Sequence, residues 1–200
     1  KACQRDDSFL DGHCMPRVLD MANLIPNRYD NLRDTLPHFF LGGTQQTINE
    51  VVDAYKLMEQ ADNLGSIMKF DISASTREHI AESMQHWENG GKDDFESLFP
   101  GMRMILALTD KYAAVVANPP YMGSGNMNKV LSEYVKKNYP DSKSDLFSVF
   151  MDVAADRLAA NGKYGMINMQ SWMFLSSFEK LRRKVLEKSQ IDSMLHLGPR

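Results

Sequence analysis

The rhythm of apolar and polar positions changes near residue 110 of this 200-residue chain. Before that point apolar residues recur at helical spacing. Ile48, Val51, Val52, Tyr55 and Met58 fall three or four residues apart and predict a helix. Thr47 followed by Glu50 fits a capping box at its start, and Gly65 suits a C-terminal cap. Ile80, Met84 and Trp87 share one face of a second helix over 76–87, ended by Asn89-Gly90-Gly91. Pro100 opens a third over 101–110. Nearer the start, MPRVLDMANL (15–24) reads as a short strand closed by a turn at Pro26-Asn27. NRYDNLRDTLPHFFLGG reads as a short helix broken at Pro37 and a loop at Gly42-Gly43.

After residue 110 short apolar runs alternate with amphipathic ones. YAAVVAN is continuously apolar, as expected of a strand buried on both faces of a parallel sheet. NMNKVLSEYVKKN predicts a helix ending before Pro140. KSDLFSVFMDVAADRLAANG predicts a longer helix with Leu146, Phe147, Val149, Phe150, Val153 and Leu158 on its apolar face, stopped by Asn161-Gly162. KYGMINM is a second strand, Ser176 with Glu179 a capping box opening FEKLRRKVLEK, and QIDSMLHL a final strand. Strand and helix in alternation with short links predict an α/β fold with a parallel sheet and right-handed crossovers. Two regions are therefore expected: 1–110, a partial core with a helical insertion, and 111–200, the α/β core.

Composition narrows the class. The chain is 43% hydrophobic and 24% charged, as in ordinary globular proteins. No apolar run nears the roughly 20 residues of a membrane span. The charged start lacks an apolar signal core, so a cytoplasmic protein with no membrane partner is expected. The chain lacks an initiator Met and stops just after an apolar alternation, so a piece of a longer protein is expected. A net charge of −3 argues against a strong overall electrostatic grip on nucleic acid. Cys3 and Cys14 have no histidine at ligand spacing and the five histidines are scattered, so no metal site is expected.

Candidate chemistry gathers at Asn118-Pro119-Pro120-Tyr121, directly after the first strand of the second region. Two prolines end a strand abruptly, and a plain turn would satisfy that. The position also suits a site, because ligands of open α/β sheets bind beyond the carboxyl ends of the strands. An exocyclic amino group on a base or amide is a poor nucleophile, because its lone pair is delocalised. Two acceptors taking its two N–H hydrogens can aim the nitrogen at an electrophile. The Asn118 side chain offers one carbonyl and Pro119 a second on the main chain, with Pro120 stiffening the turn. Tyr121 offers a flat face for a planar substrate. Such preplaced acceptors are positional and electrostatic catalysis, with no metal or nucleophilic side chain needed. A base in a duplex has to flip out to reach them.

YAAVVANPPYMG resembles motif IV of the DNA amino-methyltransferases. The stretches YPDSKSDLF and QSWMFLSSFEKLR extend the resemblance to the gamma-type adenine-N6 branch. The wording is similar to phage-defence (BREX) and fused type IIG restriction–modification members over about residues 112–198. The resemblance implies part of a Rossmann-like S-adenosylmethionine-dependent methyltransferase sheet with an added helical segment. It implies methyl transfer to adenine N6, with S-adenosylmethionine as cofactor, and double-stranded DNA with a flipped adenine and defence-system proteins as partners. Carried over by position, Asn118, Pro119, Pro120 and Tyr121 form the catalytic segment. Tyr121, Gly123 and Phe147 lie on the substrate side. Asp145 and either Asp20 or Asn23 lie on the cofactor side. Trp172 and Phe174 are expected to pack in the core, and Arg182-Arg183-Lys184 to be a solvated helix face.

The sequence departs from that pattern at one point. No glycine-rich loop follows a strand within residues 1–60, and the family's acidic residue for the ribose is missing. The stretch looks like the middle and base-binding half of a methyltransferase and is expected to be inactive alone. Two other readings stay open: a catalytically inactive DNA- or protein-binding subunit, and an amino-group methyltransferase acting on protein or RNA.

Overall fold

The computed structural model describes residues 31–90 and 93–198. The strand expected at 15–24, with Asp20 and Asn23, lies outside them. Among the described residues five α-helices come first: α1 (Leu32–Phe39), α2 (Gln45–Met58), α3 (Ala61–Leu64), α4 (Ala74–Gly90) and α5 (Phe99–Thr109). Then follow β1 (Tyr112–Ala117), α6 (Lys129–Asn138), α7 (Leu146–Asp156), β2 (Leu158–Met166) and α8 (Glu179–Lys188).

The helical half is built on one apolar cluster. Leu36, Phe39, Val51, Met58, Ile80, Met102 and Ile105 are buried in it. Pro37 does not break α1 as expected. It removes a single amide from a short helix, and Phe40 N–H still reaches the Leu36 carbonyl at 2.9 Å. The start of α2 also differs from expectation. Thr44 is the N-cap, accepting from Thr47 N–H at 3.2 Å. Glu50 turns away to a neighbouring segment, accepting from Ser73 N–H and Ser73 Oγ at 2.9 Å each and from Gln46 Nε2 at 2.7 Å. Gly65, with φ +51, ends α3 in a conformation that suits a residue without Cβ.

The same cluster continues across residue 110. Leu131, Val135 and Tyr139 of the α6 region and Leu146, Val149 and Val153 of α7 are buried in it. A smaller second cluster joins Phe147 and Met151 of α7 to Phe178, Leu181 and Val185 around α8. Thus α7 is buried on two faces. Positions 146, 149 and 153 face the main core, while 147 and 151 face α8, which follows from helical spacing. The polar residues between the faces are partnered. Asp152, 4% exposed, accepts from Ser142 Oγ at 2.6 Å and from Lys184 Nζ at 2.7 Å. The latter bond is an ion pair tying α8 to α7.

β1 and β2 pair in parallel, with Ala114 opposite Lys163 and Ala117 opposite Met166. The β1–α6–α7–β2 order is the expected strand–crossover–strand unit. The helix before β2 is shorter than expected, ending at Asp156. The chain turns early because Arg157 C=O accepts from Tyr112 N–H at 2.8 Å and pairing begins at Leu158. Asn161, with φ +60, and Gly162 sit inside β2, where the register slips between Tyr112 and Ala114. A Cβ on Gly162 would lie 2.9 Å from the Tyr112 carbonyl and 3.0 Å from that of Ala159, so the close approach requires glycine.

Two expectations fail at the sheet. β1 is not buried on both faces. α7 packs on the pair, but Val116 is 84% and Ile167 64% exposed. The final strand is not formed either. Residues 189–198 carry no regular structure, and Met194, Leu195 and Leu197 are exposed. An alternating sequence becomes a strand only with a ladder partner. Among the described residues, side chains anchor this segment to β2 and the turn after it, through Lys163–Asp192 at 2.7 Å and a contact between His196 and Gln170.

Candidate functional site

The carboxyl ends of β1 and β2 lie side by side, and the chain beyond them builds the site. Ile167 N–H donates to the Ala117 carbonyl at 3.3 Å, so the pairing continues to the last residue before Asn118. Asn118 is exposed, Pro119 is buried and Pro120 is exposed. The buried ring of Pro119 seats the turn, and the Asn118 amide stands in solvent at the strand end. Asn118, Pro119, Pro120, Tyr121, Gly123, Asp145 and Phe147 are brought into one region. They sit on the turn after β1 and the start of α7.

Tyr121 is half exposed, at 49%. Its Oη donates to the Ile167 carbonyl at 3.0 Å. Its ring meets the Phe147 ring edge-on, with centroids 6.3 Å apart and planes at 68°. Phe147 is buried and touches Phe178, at 5.6 Å between centroids. An open aromatic ring is thus held at its hydroxyl end by main chain and braced by a buried ring from α7. Such a ring can stack a planar group from the solvent side.

Residues 122–124 run antiparallel to 144–146. Leu146 N–H donates to the Met122 carbonyl at 2.9 Å and Ser124 N–H to the Ser144 carbonyl at 3.0 Å. Gly123 and Asp145 face each other in this bridge. Asp145 is the N-cap of α7, and its Oδ1 accepts from Phe147 N–H at 3.2 Å and from Met122 N–H at 3.0 Å. Asn128 caps α6 in the same manner, accepting from Leu131 N–H at 2.9 Å.

Several features of this region were not anticipated. The Ile167 carbonyl is a tie that no side-chain pattern could reveal. Asn168, next in the chain, has a buried Oδ1 without a hydrogen-bond partner among the described residues. The basic run on α8 is not a wholly solvated face. Arg182 Nη1 donates to the carbonyls of Trp172 at 2.8 Å and Leu175 at 2.6 Å, and Lys184 holds Asp152. Only Arg183 behaves as expected, 3.9 Å from Glu179 on the same exposed surface. Trp172 packs against the second cluster, whereas Phe174 is 70% exposed rather than part of the core. The Ser176–Glu179 capping box does not form, since a 3-10 turn over Ser176–Phe178 leads into α8 without a side-chain cap.

A cradle for the methionine end of a nucleoside cofactor is not found among the described residues. The turn at Gly42-Gly43 packs on its own helix, since a Cβ on Gly43 would fall 2.6 Å from Phe40 Cβ. Among the described residues no group of His, Cys, Asp or Glu could hold a metal ion, and no helix is long and apolar enough to cross a membrane.

A family model described as Eco57I restriction-modification methylase matches residues 28–200. An adenine-specific methyltransferase named BrxX, from Escherichia coli O9:H4 (strain HS), is 50% identical over 109 residues, which are 54% of this chain and 9% of that protein. An adenine-specific methyltransferase named PglX, from Lacticaseibacillus casei (strain Zhang), is 48% identical over 99 residues, 50% of this chain and 8% of that protein. The matched stretch thus spans less than a tenth of either relative's length.

Proposed function

The chain belongs to the Eco57I restriction-modification methylase family, and from that premise we propose that the whole protein transfers a methyl group from S-adenosylmethionine to the N6 amino group of adenine in DNA. The setting is phage defence or restriction–modification in the cytoplasm, with defence-system proteins as partners. The observation that carries this reading is the Asn118 amide, exposed beyond the end of β1, beside a half-exposed Tyr121 ring anchored to the end of β2. The relatives named adenine-specific methyltransferases support the choice of base.

On this reading the residues at hand do the substrate side of the reaction. A flipped adenine lies on the Tyr121 face, worth about 1–3 kcal/mol. The Asn118 side-chain carbonyl and the Pro119 main-chain carbonyl accept its two N6 hydrogens. Charge that develops on the nitrogen meets oxygens already in place. S-adenosylmethionine, when bound, supplies the electrophilic methyl. Its cradle is not among the described residues, which supply the substrate side alone.

The test is modification-sensitive sequencing of host DNA, with the intact gene and with Asn118→Ala. N6-methyladenine at one short motif, lost in the variant, is expected. Removing one such polar group costs about 10²–10³ in rate, enough to empty the motif. Identical methylomes would overturn the DNA reading. Methylation of a protein amide or RNA amino group, or a non-catalytic role, would then take its place.

A further inference from the structure

We propose that Asp145 is a positioning residue, which holds the Asn118–Tyr121 turn in register through the Met122 amide; this rests on the substrate-side reading above. One carboxylate oxygen, Oδ1, receives two main-chain amides from segments far apart in sequence. Phe147 N–H at 3.2 Å belongs to the first turn of α7, and Met122 N–H at 3.0 Å belongs to the residue after Tyr121. The bridge between Gly123 and Asp145 continues the tie along the backbone.

The turn is therefore held at both ends. Ala117, just before it, accepts from Ile167 N–H, and Met122, just after it, donates to Asp145. Between these points lie Asn118, two prolines of fixed φ and Tyr121, whose hydroxyl is also tied. Little freedom remains except at the Met122 end, where the Asp145 carboxylate adds to the backbone bond from Leu146 N–H to the Met122 carbonyl at 2.9 Å. Without the Asp145 bond the Met122 end would hang on its carbonyl alone, through Leu146 N–H, and its loosening would shift the Pro119 carbonyl and the Tyr121 ring together. A misplacement of about 1 Å costs on the order of 100-fold in rate.

Two other roles for Asp145 make different predictions: a helix cap and nothing more, or a charged contact to the cofactor. Asp145→Asn keeps an acceptor oxygen at the same reach and removes the charge. Asp145→Ser keeps an oxygen that can cap α7, but its shorter side chain cannot also reach Met122. The experiment measures kcat and KM for methyl transfer to an oligonucleotide, the melting temperature, and hydrogen exchange at the Met122 amide, all in the whole protein.

Asp145→Asn is expected to stay within about threefold of the parent in kcat and to keep Met122 protected. Asp145→Ser is expected to melt near the parent, lose protection at Met122, and lose about 10–100-fold in kcat with a smaller change in KM. Parental kcat in Asp145→Ser would leave only a cap. Loss of activity in Asp145→Asn, with raised KM for S-adenosylmethionine and Met122 still protected, would show a charged cofactor contact; either result overturns the proposal. If the parent protein methylates no adenine, the function reading fails by itself. Unchanged exchange at Met122 in Asp145→Ser would then overturn the positioning role.

Discussion

Tyr121 donates its phenolic hydroxyl to the main-chain carbonyl of Ile167 at 3.0 Å, across the gap between the ends of β1 and β2. The ring is therefore oriented as well as exposed. Tyr121→Phe removes the tether and keeps the face. About 1 kcal/mol of orientation should be lost, a roughly fivefold fall in kcat/KM. Tyr121→Ala also removes the stacking face and should cost a further 5–150-fold, from about 1–3 kcal/mol. Single-turnover methyl transfer on a short duplex separates the two. Equal losses in both variants would mean that the hydroxyl, not the face, matters.

Gly123 offers a test of substrate contact uncoupled from folding. Its φ is −60, ordinary for any residue, and the nearest atom to a Cβ there would be Asp145 Oδ2 at 3.8 Å. The fold should accept Gly123→Ala with a stability change within about 0.5–1 kcal/mol. If a base or its backbone lies against this position, activity should still fall at least tenfold. An active variant of unchanged melting temperature would remove Gly123 from the substrate side.

The Asp152–Lys184 pair predicts both a mutational and a pH effect. Asp152 is almost wholly buried, so Lys184→Met strands a carboxylate with Ser142 as its remaining side-chain partner. Breaking a buried pair costs about 3–5 kcal/mol. Solvent reaches Lys184, whose side chain is 29% exposed, so a loss of about 2–3 kcal/mol is expected. Burial pulls the Lys184 pKa down, but the hydrogen bond and charge of Asp152 outweigh it and raise the value above 10.5. A raised pKa means that the contribution is full below 10.5 and fades as pH climbs through the higher folded value. Denaturant titrations should show a flat profile through neutral pH, a decline only above it in the alkaline range, and a shallower decline in Lys184→Met.

Glu50 should act at the opposite end of the scale. Burial alone would raise its pKa. The Ser73 backbone hydrogen bond, with those of Gln46, Thr76 and the Ser73 hydroxyl, lowers it below the usual 4.5. A lowered pKa gives stability that is present above 4.5 and lost as pH falls through the folded value. Glu50→Gln should cost about 0.5–1 kcal/mol at neutral pH, given the exposure of the group. It should also soften the loss of stability on acidification, as read from urea midpoints between about pH 5 and pH 3.

What could be read from the sequence was what local spacing decides. The helix around residues 48–58, the apolar character of α7 and the turn at Asn118–Tyr121 follow from periodicity, proline chemistry and motif wording, whereas the division of α7 into two buried faces does not. The misreadings share one cause: their outcome is set by a neighbour. Glu50 is three residues from Thr47, as a capping box requires, yet Ser73 competes for its carboxylate. Asn161-Gly162 resembles a helix stop, but Arg157 had already turned the chain by pairing with Tyr112. QIDSMLHL alternates like a strand and finds no ladder partner among the described residues. Arg182 has the composition of a solvated face and the geometry of a clamp on two carbonyls. Of the site, the reacting segment was legible and its fastenings were not, because a carbonyl such as that of Ile167 leaves no mark in composition.

Those fastenings bear on how this protein can diverge. The turn hangs on the main-chain oxygens of Ile167 and Ser144 and on the side chains of Tyr121 and Asp145. Replacing a side chain does not delete a carbonyl. Positions 144 and 167 can therefore drift through many residue types in a lineage while the turn stays where it is. Positions 121 and 145 have no such freedom, and the history of selection on this site should be written in a handful of letters.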